Sequence, residues 1–426
     1  MSRLLIGLLL GTEEDWPGAF EALVERLGPL RWRGHEHRLA TERIMNEPFD
    51  LRSKPRYALV IDRLAWWYDL PREWLKKVSL ADDVYLLNNP FTFQAMEKHS
   101  AYCALIRLGI RVPDTWLIPH KVPAPIPHFE YMAAKFPDVA SRYNASFDLQ
   151  EIGAAIGYPL YMKPFDGGQW VGVSRIGSPE ELRRTYDESG ERMMHVQRAL
   201  EDFDVFARSL SIGPETMVMK FRPERPMHDR YEVAHDFLSP ELGSEIVTIS
   251  QLVNAFFRWE FNSCETIVKD GVAYPIDFAN ASPDVALTSL HYYFPWAIAA
   301  LVRWTAFCAI SPRPMRINQD TRDYFETGDR EDVPYEDKLR EYRRLSDAYF
   351  QVDEYRTFCA EQLPHLEELV VEYVESPEFD SLLVQTVVTT FPAHEHEQFI
   401  AHFRGLLAAW AADQRSAATP APTTHR

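Results

Sequence analysis

Cysteine is scarce. Cys103, Cys264, Cys308 and Cys359 are the four cysteines in 426 residues, and they stand far apart without a CxxC pair. That spacing excludes a dense disulfide framework and fits reduced thiols in a cytoplasmic protein. Basic charge is also in deficit, with 45 Lys+Arg against 63 Asp+Glu and a formal net charge of -18. Such an exterior repels phosphate backbones and anionic bilayers, so neither nucleic acid nor a membrane is an expected partner. No run of about 18 apolar residues stands out, and no transmembrane helix is expected. The opening MSRLLIGLLLG is short for a signal peptide, has no small-residue cleavage site and runs into Glu13, Glu14 and Asp15. It reads as a buried first strand.

What is present describes a folded protein. Hydrophobic residues make up 46%, aromatics 13% and charged residues 25%, enough apolar surface for a large core. A chain of this length is expected to form two or three subdomains around a shared cleft. Over residues 1–90 short apolar runs alternate with a helical pattern, which predicts a small α/β unit with a parallel sheet. Asn89 is placed to cap a helix with Pro90 at its first position, running to about Leu108 with Gly109 as a left-handed stop. Residues 120–147, rich in Pro and His at the start, read either as an insertion or lid or as a surface loop.

From Tyr158 the order is strand, glycine loop, helix, strand and then further strands, with a helix over 242–257 and a hairpin centred on Asp270-Gly271. Beyond about Pro312 long helical patterns with i,i+4 charge pairs continue to Asp413, and 414–426 reads as a disordered tail. The expected organisation is therefore a mixed α+β chain: an N-terminal α/β unit over 1–90, a two-lobed domain over 91–311 and a C-terminal helical appendage over 312–413. His394, His396 and His402 look metal-like in AHEHEQFIAHF, but their spacing does not share one helix face, and they read as a solvated helix start.

Four segments carry chemistry. NNPFTFQAMEKHSAYCALIRLGIRVPDT holds Lys98. In YPLYMKPFDGGQWVGV a strand ending in Lys163 delivers a fixed cation beside a loop, Asp166-Gly167-Gly168-Gln169, whose glycines can turn backbone N–H groups toward phosphate oxygens. VQRALEDFDVFARSLSIG is an apolar strand followed by acids. FNSCETIVKDGVAYPIDFANASPD is a hairpin carrying Glu265, Asp277 and Asn280. The order and spacing of these four resemble the ATP-grasp superfamily, the fold of D-alanine ligase, biotin carboxylase and the glutamate-tailing ligases, over about residues 88–283.

By that resemblance Lys98 and Lys163 reach the nucleotide phosphates with Gly167 and Gly168. Gln197, Arg198, Ala199 and Leu200 line the adenine strand, while Asp204, with Glu201 as competitor, accepts the ribose hydroxyls. Glu265, Asp277 and Asn280 hold Mg²⁺, which requires hard oxygen ligands. In the basic stretch MVMKFRPERPMHDRY, Arg222 is the expected transition-state cation, supported by Lys220. The implied activity is an ATP- and Mg²⁺-dependent ligase that activates a small-molecule or peptide carboxylate for attack by an amine or thiol. A phosphotransferase, or a non-catalytic nucleotide-binding module with a helical docking surface, remains the alternative. Small carboxylate and amine substrates are the expected partners, with a homodimer left open.

Strand arithmetic constrains the hairpin. A two-residue Asp270-Gly271 turn sets Cys264 opposite Asp277, whereas a three-residue turn centred on Gly271 sets Glu265 there. Asn280 follows Asp277 by three, which on a regular strand points the two side chains to opposite faces; a bulge near Phe278 or Ala279 would realign them.

Overall fold

The computed structural model describes residues 2–96, 98–122, 147–166, 171–280, 282–311 and 313–418. Gly167, Gly168 and most of the expected lid lie outside these residues. The chain begins with a five-stranded sheet of β1 (Ser2–Leu9), β2 (Pro29–Trp32), β3 (His35–Arg43), β4 (Tyr57–Asp62) and β5 (Tyr85–Leu87), in the order β2-β3-β1-β4-β5. β1 runs parallel to β3 and β4, and β4 parallel to β5, as the apolar runs predict. Ile6 and Leu8 are fully enclosed at the sheet's centre. The β2–β3 hairpin was not expected. Its two turn residues, Arg33 and Gly34, both have positive φ, and of the strand HEHRLATER only Leu39 is buried.

The helix expected from Pro90 is divided into a 3₁₀ segment, Pro90–Met96, and an α-helix, Lys98–Arg107. Asn89 does cap the first, its Oδ1 accepting from Phe91 N at 3.0 Å, and Gly109 stops the second at φ 75°. A smaller lobe follows: β6 (Thr115–Ile118), β7 (Leu160–Pro164), β8 (Ser174–Ile176) and β9 (Met194–Arg198), antiparallel in the order β6-β9-β7-β8. Helices Leu149–Ile156 and Pro179–Glu188 cover it, each started by a side-chain cap, Asp148 and Ser178. Ile118, Leu160, Met162, Leu182 and Val196 give this lobe its own core.

The third sheet is antiparallel: β10 (Val205–Ile212), β11 (Glu215–Phe221), β12 (Tyr231–Glu232), β13 (Phe261–Lys269) and β14 (Val272–Asp277), ordered β12-β11-β10-β13-β14. Helix Pro240–Phe257 packs on it, Ser239 capping its start. One continuous core joins this sheet, the N-terminal sheet, helix Phe294–Ile310 and the inner faces of the C-terminal helices. Those helices run from Arg322–Gly328 to His396–Ala418, five residues beyond the expected end at 413. His394 precedes the last helix with its side chain 79% exposed.

One segment departs from the hydropathy expectation. Leu287–Ile310, with mean hydropathy 1.3, is long and apolar enough by length and composition to cross a membrane. It is instead a core element, 83% of its most apolar window being enclosed by the rest of the protein. A many-partnered polar tie in the core is at Glu260, 3% exposed. It accepts from Tyr85 OH and Tyr349 OH at 2.7 Å, from Arg313 at 2.9 Å and from Trp304 Nε1 at 3.0 Å. These four donors come from β5 and from three separate points of the C-terminal half.

Candidate active site

The β13–β14 turn is the two-residue one. Asp270 and Gly271 both have positive φ, 52° and 72°, and Lys269 pairs with Val272. That register alone would set Cys264 against Asp277. Between Thr266↔Pro275 and Glu265↔Asp277 the ladder slips by one, with Ile276 as the extra residue. This bulge, rather than a wider turn, brings Glu265 opposite Asp277. Cys264 faces away into the core, where burial pushes its thiol up to about 12.

The bulge has a second effect. It turns the Ile276 carbonyl toward the small lobe, where it accepts from Lys163 Nζ at 3.2 Å and from Tyr102 OH. Lys163 Nζ also donates to Tyr102 OH at 2.8 Å and to Gln197 Oε1 at 2.9 Å. Burial draws the Lys163 ammonium down to about 8, against the pull of Asp277. Lys98, at the start of its helix, lies 3.3 Å from Asp277. Burial pulls its pKa down, but Asp277, Tyr102 and Glu265 together outweigh that and it ends raised. Both lysines therefore stand at the two facing carboxylates from neighbouring elements: the Lys98 backbone N–H bonds Phe165 O at 3.2 Å, just beyond the strand that carries Lys163.

Arg208 was not singled out in the sequence. It pairs in register with Glu265 across β10 and β13, and its guanidinium lies 3.7 Å from the Glu265 carboxylate. Arg208, Glu265 and Asp277 thus form a row across three neighbouring strands, closed by Lys98. Burial pushes the Glu265 carboxyl up, with Asp277 adding to the rise while Arg208 and Lys98 oppose it. Asn280 stands beside the row: its backbone N–H donates to Asn262 Oδ1 at 2.8 Å and its side chain to Ser263 Oγ at 3.3 Å. The signal for Arg208 was present in the sequence, since an arginine inside the apolar strand VFARSLSI must find a carboxylate or a ligand.

These groups line one cavity of about 730 Å³ between the small lobe, the third sheet and the C-terminal ends of β1 and β4. Lys98, Lys163, Gln197, Arg198, Leu200, Glu265, Asp277 and Asn280 all face it, as does Arg208. One stretch is apolar, with Val171, Val173, Leu200, Phe203, Phe206 and Ile267. Other expected residues lie elsewhere. Ala199 follows β9, its N–H bonded to Pro159 O at 3.2 Å. Glu201 pairs with Arg175 at 2.7 Å, and Asp204 sits over the β13–β14 turn, accepting from Gly271 N at 3.4 Å.

The expected transition-state pair is a further correction. Lys220 and Arg222 are outside the lining and share one acceptor, Glu232, at 2.6 and 2.9 Å. On β11 Lys220 alternates with Phe221, which lines the cavity, so Lys220 projects from the sheet's other face, where Glu232 of β12 sits opposite it; Arg222 follows the end of β11. Among the described residues no group of three or more His, Cys, Asp or Glu side chains gathers as a metal site. The donor set at the row is two carboxylates and an amide, hard oxygens that suit Mg²⁺ when phosphate and water complete its shell.

No protein-family model matches the chain, and no curated protein matches it in sequence. In fold it is similar to solved structures at low identity. A RimK domain protein ATP-grasp from Sphaerobacter thermophilus is 12% identical, covering 70% of this chain and 97% of that one, with a TM-score of 0.47. D-alanine–D-alanine ligase from Bacillus anthracis, complexed with ATP, is 15% identical over 73% and 97%, with a TM-score of 0.47. Macrocyclase MdnC from Microcystis aeruginosa, bound with precursor peptide MdnA, is 12% identical over 74% and 100%, with a TM-score of 0.46.

Proposed function

We propose that the chain is an ATP- and Mg²⁺-dependent ligase of the ATP-grasp type, joining a carboxylate to an amine. The observation that carries this reading is the charge row. Two carboxylates of opposite strands face each other, bracketed by Lys98 and Arg208 and overlooked by Lys163, in a cavity with an apolar stretch large enough for a base. Facing carboxylates in a buried site repel, and a cation between them relieves the repulsion. Asp277, Glu265 and Asn280 would hold Mg²⁺, which supplies charge neutralisation at the phosphate oxygens.

In the proposed reaction a carboxylate oxygen of the substrate attacks the γ-phosphorus of ATP. The bond from that phosphorus to the β–γ bridging oxygen breaks, and ADP leaves with the electron pair. The amine nitrogen then attacks the acyl carbon, phosphate departs and the nitrogen releases its proton. Lys98 and Lys163 hold the phosphates from neighbouring positions. Arg208, fixed by Glu265 and Ser263, takes the role expected of Arg222 and offsets charge developing on the transferring group. Gln197 orients the Lys163 ammonium. No covalent enzyme intermediate is needed, since positioning and electrostatics lower the barrier.

The test is ADP release by the full chain given ATP, Mg²⁺ and mixtures of carboxylates and amines. A ligase shows ADP formation that depends on the mixture. ATP binding without stimulated ADP release would instead point to a non-catalytic nucleotide module.

A further inference from the structure

The end of the cavity lined by residues that follow β1 and β4 differs in chemistry from the charge row. Asp15 and Asp284 both face it. Asp15 is 7% exposed, its oxygens accepting from Trp16 N at 2.8 Å and Leu287 N at 2.6 Å. Asp284 accepts from Ala286 N at 3.1 Å and from Ser289 Oγ. These bonds fix the two carboxylates without neutralising them. Neither takes part in an ion pair among the described residues. The neighbouring cations are already engaged: Arg63 with Glu13 at 2.8 Å and Pro283 O at 2.8 Å, and Arg208, which also feels Asp284, with Glu265 at 3.7 Å. Two carboxylates on one cavity wall, Asp15 buried and Asp284 partly so, attract a cation from outside.

The lining of this end is also aromatic. Trp16, fully enclosed, has an indole N–H with no partner in the structure, and Trp66 and Trp67 stand edge to face with centroids 6.3 Å apart. Trp67 is 56% exposed although it lines the cavity. A large ring at a cavity wall with half its surface uncovered gains by covering an apolar or aromatic group, and its face attracts an ammonium.

We propose that this end binds the amine co-substrate, and that the amine carries an aromatic body: the ammonium lies at Asp284 and Asp15, and the body against Trp66 and Trp67. The assignment rests on the ligase reading for the amine's role, but the site itself is defined by binding. Ligand-observed NMR titration of the full chain with phenethylamine, 3-phenylpropionate and 1-aminobutane measures it without turnover. Phenethylamine should bind at least about tenfold more tightly than either comparison compound. Asp284→Asn should weaken it by about tenfold or more, and Trp67→Ala, at an exposed position that folding does not need, by about threefold to tenfold. Equal or tighter binding of 3-phenylpropionate, or unchanged phenethylamine affinity in both variants, overturns the proposal. ATP titration of the same samples keeps the two readings apart: loss of ATP binding with phenethylamine binding intact contradicts the ligase reading, and the reverse contradicts only this site.

Discussion

Lys163 has an ammonium drawn down to about 8 by burial, and the phosphates it is proposed to meet need its charged form. The sign follows directly. Below pH 8 the free protein already carries the cation, whereas above it a proton must be taken up for ATP to bind, so affinity for ATP falls as pH rises through about 8. Calorimetric titration of ATP between pH 7 and 9.5 should show that fall, and Lys163→Arg, with its far higher pKa, should remove it. An equally steep fall in the Arg variant would mean another group titrates. Arg208 and Arg222 give a paired prediction at the same scale. Arg208→Ala should lower kcat by about 10² or more, in the range measured for loss of a preorganised charge-stabilising donor. Arg222→Ala removes one of two cations on half-exposed Glu232 and should change kcat less than threefold, as surface ion pairs contribute little.

At the scale of elements, the hairpin β13–β14 organises the site through one bulge. Ile276 adds a residue to β14, restores Glu265 to Asp277 and offers its carbonyl to Lys163 and Tyr102. Tyr102→Phe removes the hydroxyl that bridges lysine and carbonyl; a lost hydrogen bond of about 0.5–1.5 kcal/mol should raise the KM for ATP roughly threefold to tenfold with the fold intact. An unchanged KM would separate the bulge from nucleotide binding. The parallel N-terminal sheet, the Asn89 cap, the Gly109 stop and the hairpin at Asp270-Gly271 were legible in the sequence because each has a local cause. The bulge was not, since a one-residue slip leaves no mark in the alternation of IVKDGVAYPID. The β2–β3 hairpin escaped for a related reason: an edge strand that buries only Leu39 shows no period. Arg222 was favoured by its place in the pattern of the family the sequence resembles, while the row containing Arg208 exists only after β10 and β13 pair.

On the scale of the molecule, the small lobe has its own core, a small cluster of Ala207, Ile246, Val268 and Ala273 lies under helix Pro240–Phe257, and one large core joins the remaining elements. The C-terminal helices belong to the shared core through Glu260, whose partners Tyr85, Trp304, Arg313 and Tyr349 come from β5 and the C-terminal half. Glu260→Ala leaves Arg313, 6% exposed, without its counter-charge and should destabilise the protein by about 3–5 kcal/mol, read as a lower midpoint in urea. A loss below about 1 kcal/mol would mean that water or a nearby acid replaces Glu260.

The central claim is that Asp277 and Glu265 form the metal-bearing centre of an ATP-driven reaction. The most direct measurement is ADP release beside ATP binding in the parent chain and in Asp277→Asn, with Cys264→Ser as the control for register. The account predicts at least about a 10²-fold loss of stimulated ADP release in Asp277→Asn, metal-free ATP affinity within about threefold of the parent, and a nearly silent Cys264→Ser. Full ADP release by Asp277→Asn, or its loss in Cys264→Ser instead, would contradict it.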